Sequence, residues 1–361
     1  MKNLALRKSA GTMDVRQARP NDRSYFATPS GWAFLLLAFS IIWFLMTSER
    51  SVSTVADQDA YLAYFQFTDW AWLETYFRHN SLGLRLIPHI ITDEIGWRLW
   101  IILVNSLGFR PESAIRLTVA LSNILVFCAL ARLRRPLLGL VMWAVVPAAL
   151  CTIGLFQLRQ GFGFGVAMLI AIGLRRPVLG IWIASTIHTT FVIPALLITV
   201  ARHSGSDNRI AIPVVVAAGI VLAASAQTLF DTFGGRRLDD YAGYAAEFSV
   251  NLLVLLLSYG LASVLLIGSL RYLRPVRMRP PMRNLALMHI SLLAYLVSAF
   301  VFFPFGKDRV FYYISLLLPF LVQEIRVKGG ITLWMTTVLF SMIAADVYLA
   351  SQKGVYGYLL R

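Results

Sequence analysis

Of 361 residues, 58% are hydrophobic and only 14% are charged, whereas soluble domains carry about a quarter charged residues, so water is not the main solvent of this chain. The formal net charge of +15, from 33 Lys and Arg against 18 Asp and Glu, sits in short basic clusters between apolar runs. That pattern orients the loops of a membrane protein, and nucleic-acid binding is not expected from it.

Apolar runs of about 20 residues recur along the chain, the length that carries a helix across a bilayer core. Because no water reaches the backbone there, the expected fold is all-α: a polytopic integral membrane protein with about 10–12 transmembrane or re-entrant helices. Residues 1–30 carry Lys2, Arg7, Lys8, Arg16, Arg19 and Arg23 and are expected to be a cytoplasmic tail rather than a cleaved signal. Residues 31–361 then form one polytopic domain. Cys128 and Cys151 lie in apolar segments without partner spacing, so neither a zinc site nor a disulfide framework is indicated, and no metal or other cofactor is expected.

The first span, Trp32 to Met46, leads to an acidic and aromatic stretch at 48–80 containing Asp57, Asp59, Asp69 and Glu74, too polar for lipid and expected to be an external loop with short helices. Between 81 and 108 the charges of Arg85, His89, Asp93, Glu94 and Arg98 predict an interfacial or re-entrant segment, or one facing a wet cavity. Further spans are expected at Ala114 to Ala131, Leu137 to Leu155, Phe162 to Leu174, Ile210 to Leu229, Phe248 to Leu270, Leu285 to Phe303, Val310 to Val322 and Ile331 to Ala350. The arginines at 132, 134 and 135, at 175 and 176, and from 271 to 283 mark inside loops. External loops then fall near 48–80, 230–247 and 304–309, and parity then has 81–112 and 178–201 each begin and end on one side as re-entrant segments; the alternative, in which both cross once and 109–177 is flipped, puts five arginines outside in exchange for Arg110 and Arg159 inside. Leu133-Arg-Arg-Pro136-Leu-Leu-Gly139 recurs as Leu174-Arg-Arg-Pro177-Val-Leu-Gly180, two similarly built inside turns in which Pro opens a helix.

Polar residues that apolar runs should exclude are the informative ones, because each must be paired or hydrated. Asp57, Asp59, Tyr61 and Tyr64, followed by Glu74 and Tyr76, combine carboxylates with aromatic faces, as a sugar site does; an acidic surface helix is the competing reading. Arg159 stands between two apolar runs, followed by Gly161, Gly163 and Gly165. Its guanidinium suits a phosphate or carboxylate, while glycines at that spacing more often serve helix packing. His188 lies in a polar island of Ser and Thr within a strongly apolar stretch and can bind phosphate, shuttle a proton or bridge helices. Arg236, Arg237, Asp240 and Tyr241 mark one external loop, and Lys307 and Arg309 an external helix start, where an anion site and ordinary boundary anchoring compete.

The order of these features resembles the EpsG family and related Wzy-like polymerases. The resemblance rests on Asp57-Gln-Asp59-Ala-Tyr61-Leu-Ala-Tyr64-Phe65, on Glu74-Thr-Tyr76, on Leu158-Arg159-Gln160-Gly161, on His188 with the following Pro194, and on Asp308-Arg309-Val-Phe-Tyr312-Tyr313. The chain departs from the family's Glu-Pro-Gly-Tyr type of element, with Thr75 after the Glu, and its 81–98 stretch is unusually charged. The resemblance implies a GT-C-like, multi-pass protein of the bacterial inner membrane that joins lipid-linked oligosaccharide repeats into exopolysaccharide or O-antigen. Its donor would be a glycan on undecaprenyl pyrophosphate and its acceptor a second lipid-linked repeat, both met at the external face.

In that chemistry a departing pyrophosphate needs fixed positive charge, which Arg159, His188, Lys307 and Arg309 can supply without a metal. A carboxylate takes the acceptor proton, with Asp57, Asp59 and Glu74 as candidates and Glu74 preferred for its place in the sequence nearest the membrane surface. Tyr61, Tyr64, Arg236, Arg237, Asp240 and Tyr241 are the expected glycan contacts. Whether a chain-length-determining co-polymerase is needed stays open. An O-antigen ligase or other lipid-linked-sugar glycosyltransferase would use the same tools, and a transporter or flippase of lipid-linked glycans would bind pyrophosphate without reacting.

Overall fold

The computed structural model describes residues 25–47, 57–79, 86–233, 250–271, 278–302, 307–325 and 329–352, and among these residues the regular structure is helical, with no strand. Among the described residues five helices are long and apolar enough to cross a membrane: α1 (Pro29–Thr47), α6 (Pro111–Leu130), α12 (Asn208–Phe233, apolar to Leu229), α14 (Pro280–Ala299) and α16 (Gly329–Gln352); a bent pair raises the number to six. The chain is thus the all-α polytopic membrane protein that its composition predicts. Only 17% of the apolar window is buried in α1 and in α16, against 61% in α6 and 67% in α14. The first two therefore turn most of their apolar surface outward, as lipid-facing spans do, and the latter two build the interior.

Several other apolar helices are too short to span alone, and their breaks shape the molecule. The expected straight span over 137–155 is instead α7 (Pro136–Val145) and α8 (Ala148–Phe156, wound as a π-helix), bent by 72°. Val146 is extended (ψ 118°) because the ring of Pro147 bars the helical region to the residue before it. After α8 the chain reverses into α9 (Leu158–Met168), whose π-helical continuation ends at Gly173. This element starts four residues before the expected Phe162 and so takes in Arg159. Pro136 and Pro177 each open a helix as the sequence echo requires.

The 177–203 segment is two helices, α10 (Pro177–Ile187) and α11 (Val192–His203), separated by extended His188 and a turn at Thr189–Phe191. Trp182 Nε1 donates to Thr199 Oγ1 at 3.1 Å. Seventeen residues of continuous helix would hold those groups about 25 Å apart. The two helices therefore fold back on one another as a hairpin, the geometry that a re-entrant segment needs.

The wet N-terminal region is built likewise from short pieces: α2 (Gln58–Phe67), α3 (Trp70–His79), α4 (Leu86–Thr92) and α5 (Ile95–Ser106). The Asn105 amide donates to the carbonyls of Phe65 and Thr68, and Trp70 Nε1 donates to Ser106 Oγ. The end of α5 thus returns to the α2–α3 junction. The remaining helices, α13 (Val250–Arg271) and α15 (Lys307–Leu321), occupy the expected places of two further apolar runs.

Candidate functional site

Three chain breaks converge on one buried carboxylate. Glu94 lies between α4 and α5 with a left-handed backbone (φ 55°), a conformation that costs a non-glycine residue about 1–3 kcal/mol and persists only where its surroundings hold it. It precedes the first turn of α5 but makes no side-chain cap. The side chain turns inward instead, where only 5% of it stays exposed.

Its Oε2 accepts from Arg159 Nη1, at the first turn of α9. Its Oε1 accepts from His188 Nδ1 at 2.7 Å and from the Thr189 backbone N–H at 3.2 Å. The Thr189 hydroxyl donates to the Ile91 carbonyl at 3.0 Å and ties the α10–α11 turn to the end of α4. Neighbouring Thr190 shares a hydrogen bond with the Tyr313 hydroxyl on α15. Both oxygens of Glu94 are thus taken by protein donors, and the carboxylate is a holding group more than a free base.

Close helix approach makes this convergence possible. A Cβ at Gly96, two residues beyond Glu94, would lie 2.4 Å from Thr186 Oγ1 and 3.0 Å from the Thr186 carbonyl oxygen, so α5 meets the end of α10 in near backbone contact. Gly161, Gly163 and Gly165 likewise abut Ile153, Phe191 and Ser122, the packing role expected of glycines at that spacing.

Aromatic rings form the outer wall. The guanidinium carbon of Arg159 is 5.4 Å from the Tyr64 ring centre and 6.0 Å from that of Tyr61. Arg98, on the second turn of α5, lies over Tyr64 at 4.3 Å and over Trp72 at 4.6 Å, and donates to Thr68 Oγ1 at 2.7 Å. Trp72 stacks with Tyr76, whose hydroxyl donates to Asp93 Oδ2 at 2.6 Å; His89 stands 3.5 Å from the same oxygen. Burial, with Asp93 accepting its hydrogen, pushes the Tyr76 phenol above its ordinary range, so Tyr76 stays a neutral donor. Trp97 Nε1, Arg159 Nε and both amide atoms of Gln160 are buried without a partner among the described residues. Such orphaned groups call for water or for polar atoms of a ligand.

Of the residues singled out from sequence, Arg159, His188, Tyr61 and Tyr64 come together here. Asp57 and Asp59, at the start of α2, are exposed. Glu74 is exposed on α3 and pairs with Arg78 one turn on. Lys307 and Arg309 lie in the first turn of α15, but their side chains fall outside the described residues, as do Arg236, Arg237, Asp240 and Tyr241 altogether. Glu94, the residue at the centre, was visible from sequence only as one charge among several between 85 and 98.

A model of the EpsG family matches residues 32–360. No curated protein and no solved structure matches the chain. The family match runs from the first span to the end of the sequence and covers every residue of the site just described; the chain belongs to the EpsG family.

Proposed function

We propose that this chain is a polysaccharide polymerase of the bacterial inner membrane, transferring a glycan from undecaprenyl pyrophosphate to a lipid-linked repeat at the external face. Family membership supports the reaction class. The observation that carries the site is the Glu94 carboxylate, buried and shared between Arg159 and His188 from separate chain breaks.

In this reading Glu94 fixes the ring of His188 with Nδ1 protonated, leaving Nε2 as the basic nitrogen of the neutral imidazole, the carboxylate–histidine logic of many group-transfer sites. The acceptor hydroxyl oxygen attacks the anomeric carbon of the donor as His188 takes its proton. The bond from that carbon to the pyrophosphate oxygen breaks, and the electron pair leaves with undecaprenyl pyrophosphate. A single displacement of this kind inverts the anomeric centre. Glu94 stabilises the imidazolium that forms, and nearby guanidinium charge steadies the leaving group. The proton-accepting role thus passes from the exposed carboxylates Asp57, Asp59 and Glu74 to His188, with Glu94 as its positioning residue.

The test is extension of a lipid-linked repeat by the purified full chain in lipid nanodiscs, followed by mass spectrometry of the lipid-linked products. Chains of two or more repeats from wild type, and none from His188→Ala, are expected. Transfer to a non-repeat acceptor alone points to a ligase, and absence of any transfer from wild type removes the reading.

A further inference from the structure

Two guanidiniums share the Tyr64 ring, and their electrostatic situations differ. Arg159 is ion-paired with Glu94, so its charge is largely spent inside the protein. Arg98 is half-buried and held from three sides by Tyr64, Trp72 and the Thr68 hydroxyl, and it has no ion pair among the described residues. Asp93 and Glu94 act on it through space and Arg159 opposes them. Neither carboxylate engages it: Asp93 is taken by Tyr76 and His89, and Glu94 by Arg159, His188 and Thr189.

Among the described residues only Thr68 takes a hydrogen bond from Arg98, through one nitrogen, and none of the other nitrogens is sealed off. A guanidinium has five N–H donors in a planar fork that matches phosphate oxygens. Stacked against two aromatic faces it is also pre-ordered, so little rotamer freedom remains to be lost when an anion binds.

We infer that Arg98 makes the principal charged contact with the diphosphate of the lipid-linked donor, while Arg159 acts as the counter-charge that holds Glu94 and His188 in place. This rests on the proposed reaction for the identity of the donor, but the anion site itself is defined by the geometry alone. It reassigns the role that the sequence alone gives to Arg159.

The experiment is equilibrium dialysis of labelled inorganic pyrophosphate against the full chain in neutral-lipid nanodiscs, with inorganic phosphate and glucuronate as competitors. Wild type is expected to bind pyrophosphate saturably, with phosphate a weaker competitor and glucuronate weaker still. Arg98→Gln, which removes the charge, should weaken binding about tenfold or more, and Arg98→Lys should recover part of it. The charge-balanced double variant Glu94→Gln/Arg159→Gln should keep most of the pyrophosphate binding while losing transfer. Folding of each variant is checked by its helical circular dichroism and elution volume.

The inference is overturned if Arg98→Gln binds as wild type does, if the double variant loses as much as Arg98→Gln, or if wild type shows no saturable binding. Competition by glucuronate as strong as by pyrophosphate would assign Arg98 to an acidic sugar instead and overturn it equally. Pyrophosphate binding that depends on Arg98 in a protein that extends no lipid-linked repeat would leave this site standing and remove the polymerase reading.

Discussion

His188 Nδ1 donates to Glu94 Oε1 at 2.7 Å across 94 positions of sequence. That bond joins the extended link between α10 and α11 to the left-handed link between α4 and α5. Because Arg159 and Thr189 also hold the carboxylate, the position and tautomer of His188 depend on a residue that is itself buried.

Replacing Glu94 by Ala leaves the Arg159 charge buried and unpaired. Breaking a buried pair in this way costs about 3–5 kcal/mol, so Glu94→Ala should unfold at clearly lower temperature in detergent than wild type, with Glu94→Gln, which also removes the charge but keeps a hydrogen-bond acceptor for Arg159, in between. Equal thermal midpoints would show that the pair contributes little to the fold.

His188→Ala removes the proton acceptor of the proposed reaction but leaves Glu94 paired with Arg159. Transfer should fall by about 10²–10⁴-fold, the usual worth of a positioned acid–base group, with helical content unchanged. A variant retaining more than a tenth of wild-type turnover would reduce His188 to a packing residue.

A methyl group at Gly96 is predicted to act without removing any polar group. The added carbon meets Thr186 at 2.4 Å, and overpacking of this kind costs about 1–3 kcal/mol. Glu94 should be displaced with it and transfer should drop. Adding Thr186→Ala removes the nearest atom, so partial rescue in the double variant is the diagnostic outcome.

The α10–α11 hairpin makes a topological prediction. In a background lacking Cys128 and Cys151, single cysteines at Arg176 and Ser206 should both react with a membrane-impermeant maleimide from the same side. Labelling from opposite sides would mean that the segment crosses the membrane once.

Much of this was legible in the sequence. Arg159 and His188 stand out because an apolar environment must pair or hydrate every charge, and the straight spans follow from the length of their apolar runs. The break at Val146–Pro147 is written in the proline itself, although the apolar run over 137–155 conceals it. Glu94 was not legible as a centre. It neighbours Asp93 in a charged stretch, and nothing local distinguishes the two. Only the closure of three distant chain segments buries one and leaves the other exposed. Glu74 pairs with Arg78 on the exposed face of α3, a contact that its place in the sequence does not reveal, since distance in sequence from a span says little about which way a short amphipathic helix faces.

The most direct measurement is the glycan length profile, by gel, of a host strain lacking this protein and complemented with wild type, Glu94→Gln, His188→Ala or Glu74→Gln at equal membrane expression. Wild type and Glu74→Gln should restore long chains, while Glu94→Gln and His188→Ala should leave single repeats. Long chains from Glu94→Gln together with single repeats from Glu74→Gln would contradict the account and return the reaction to the exposed loop.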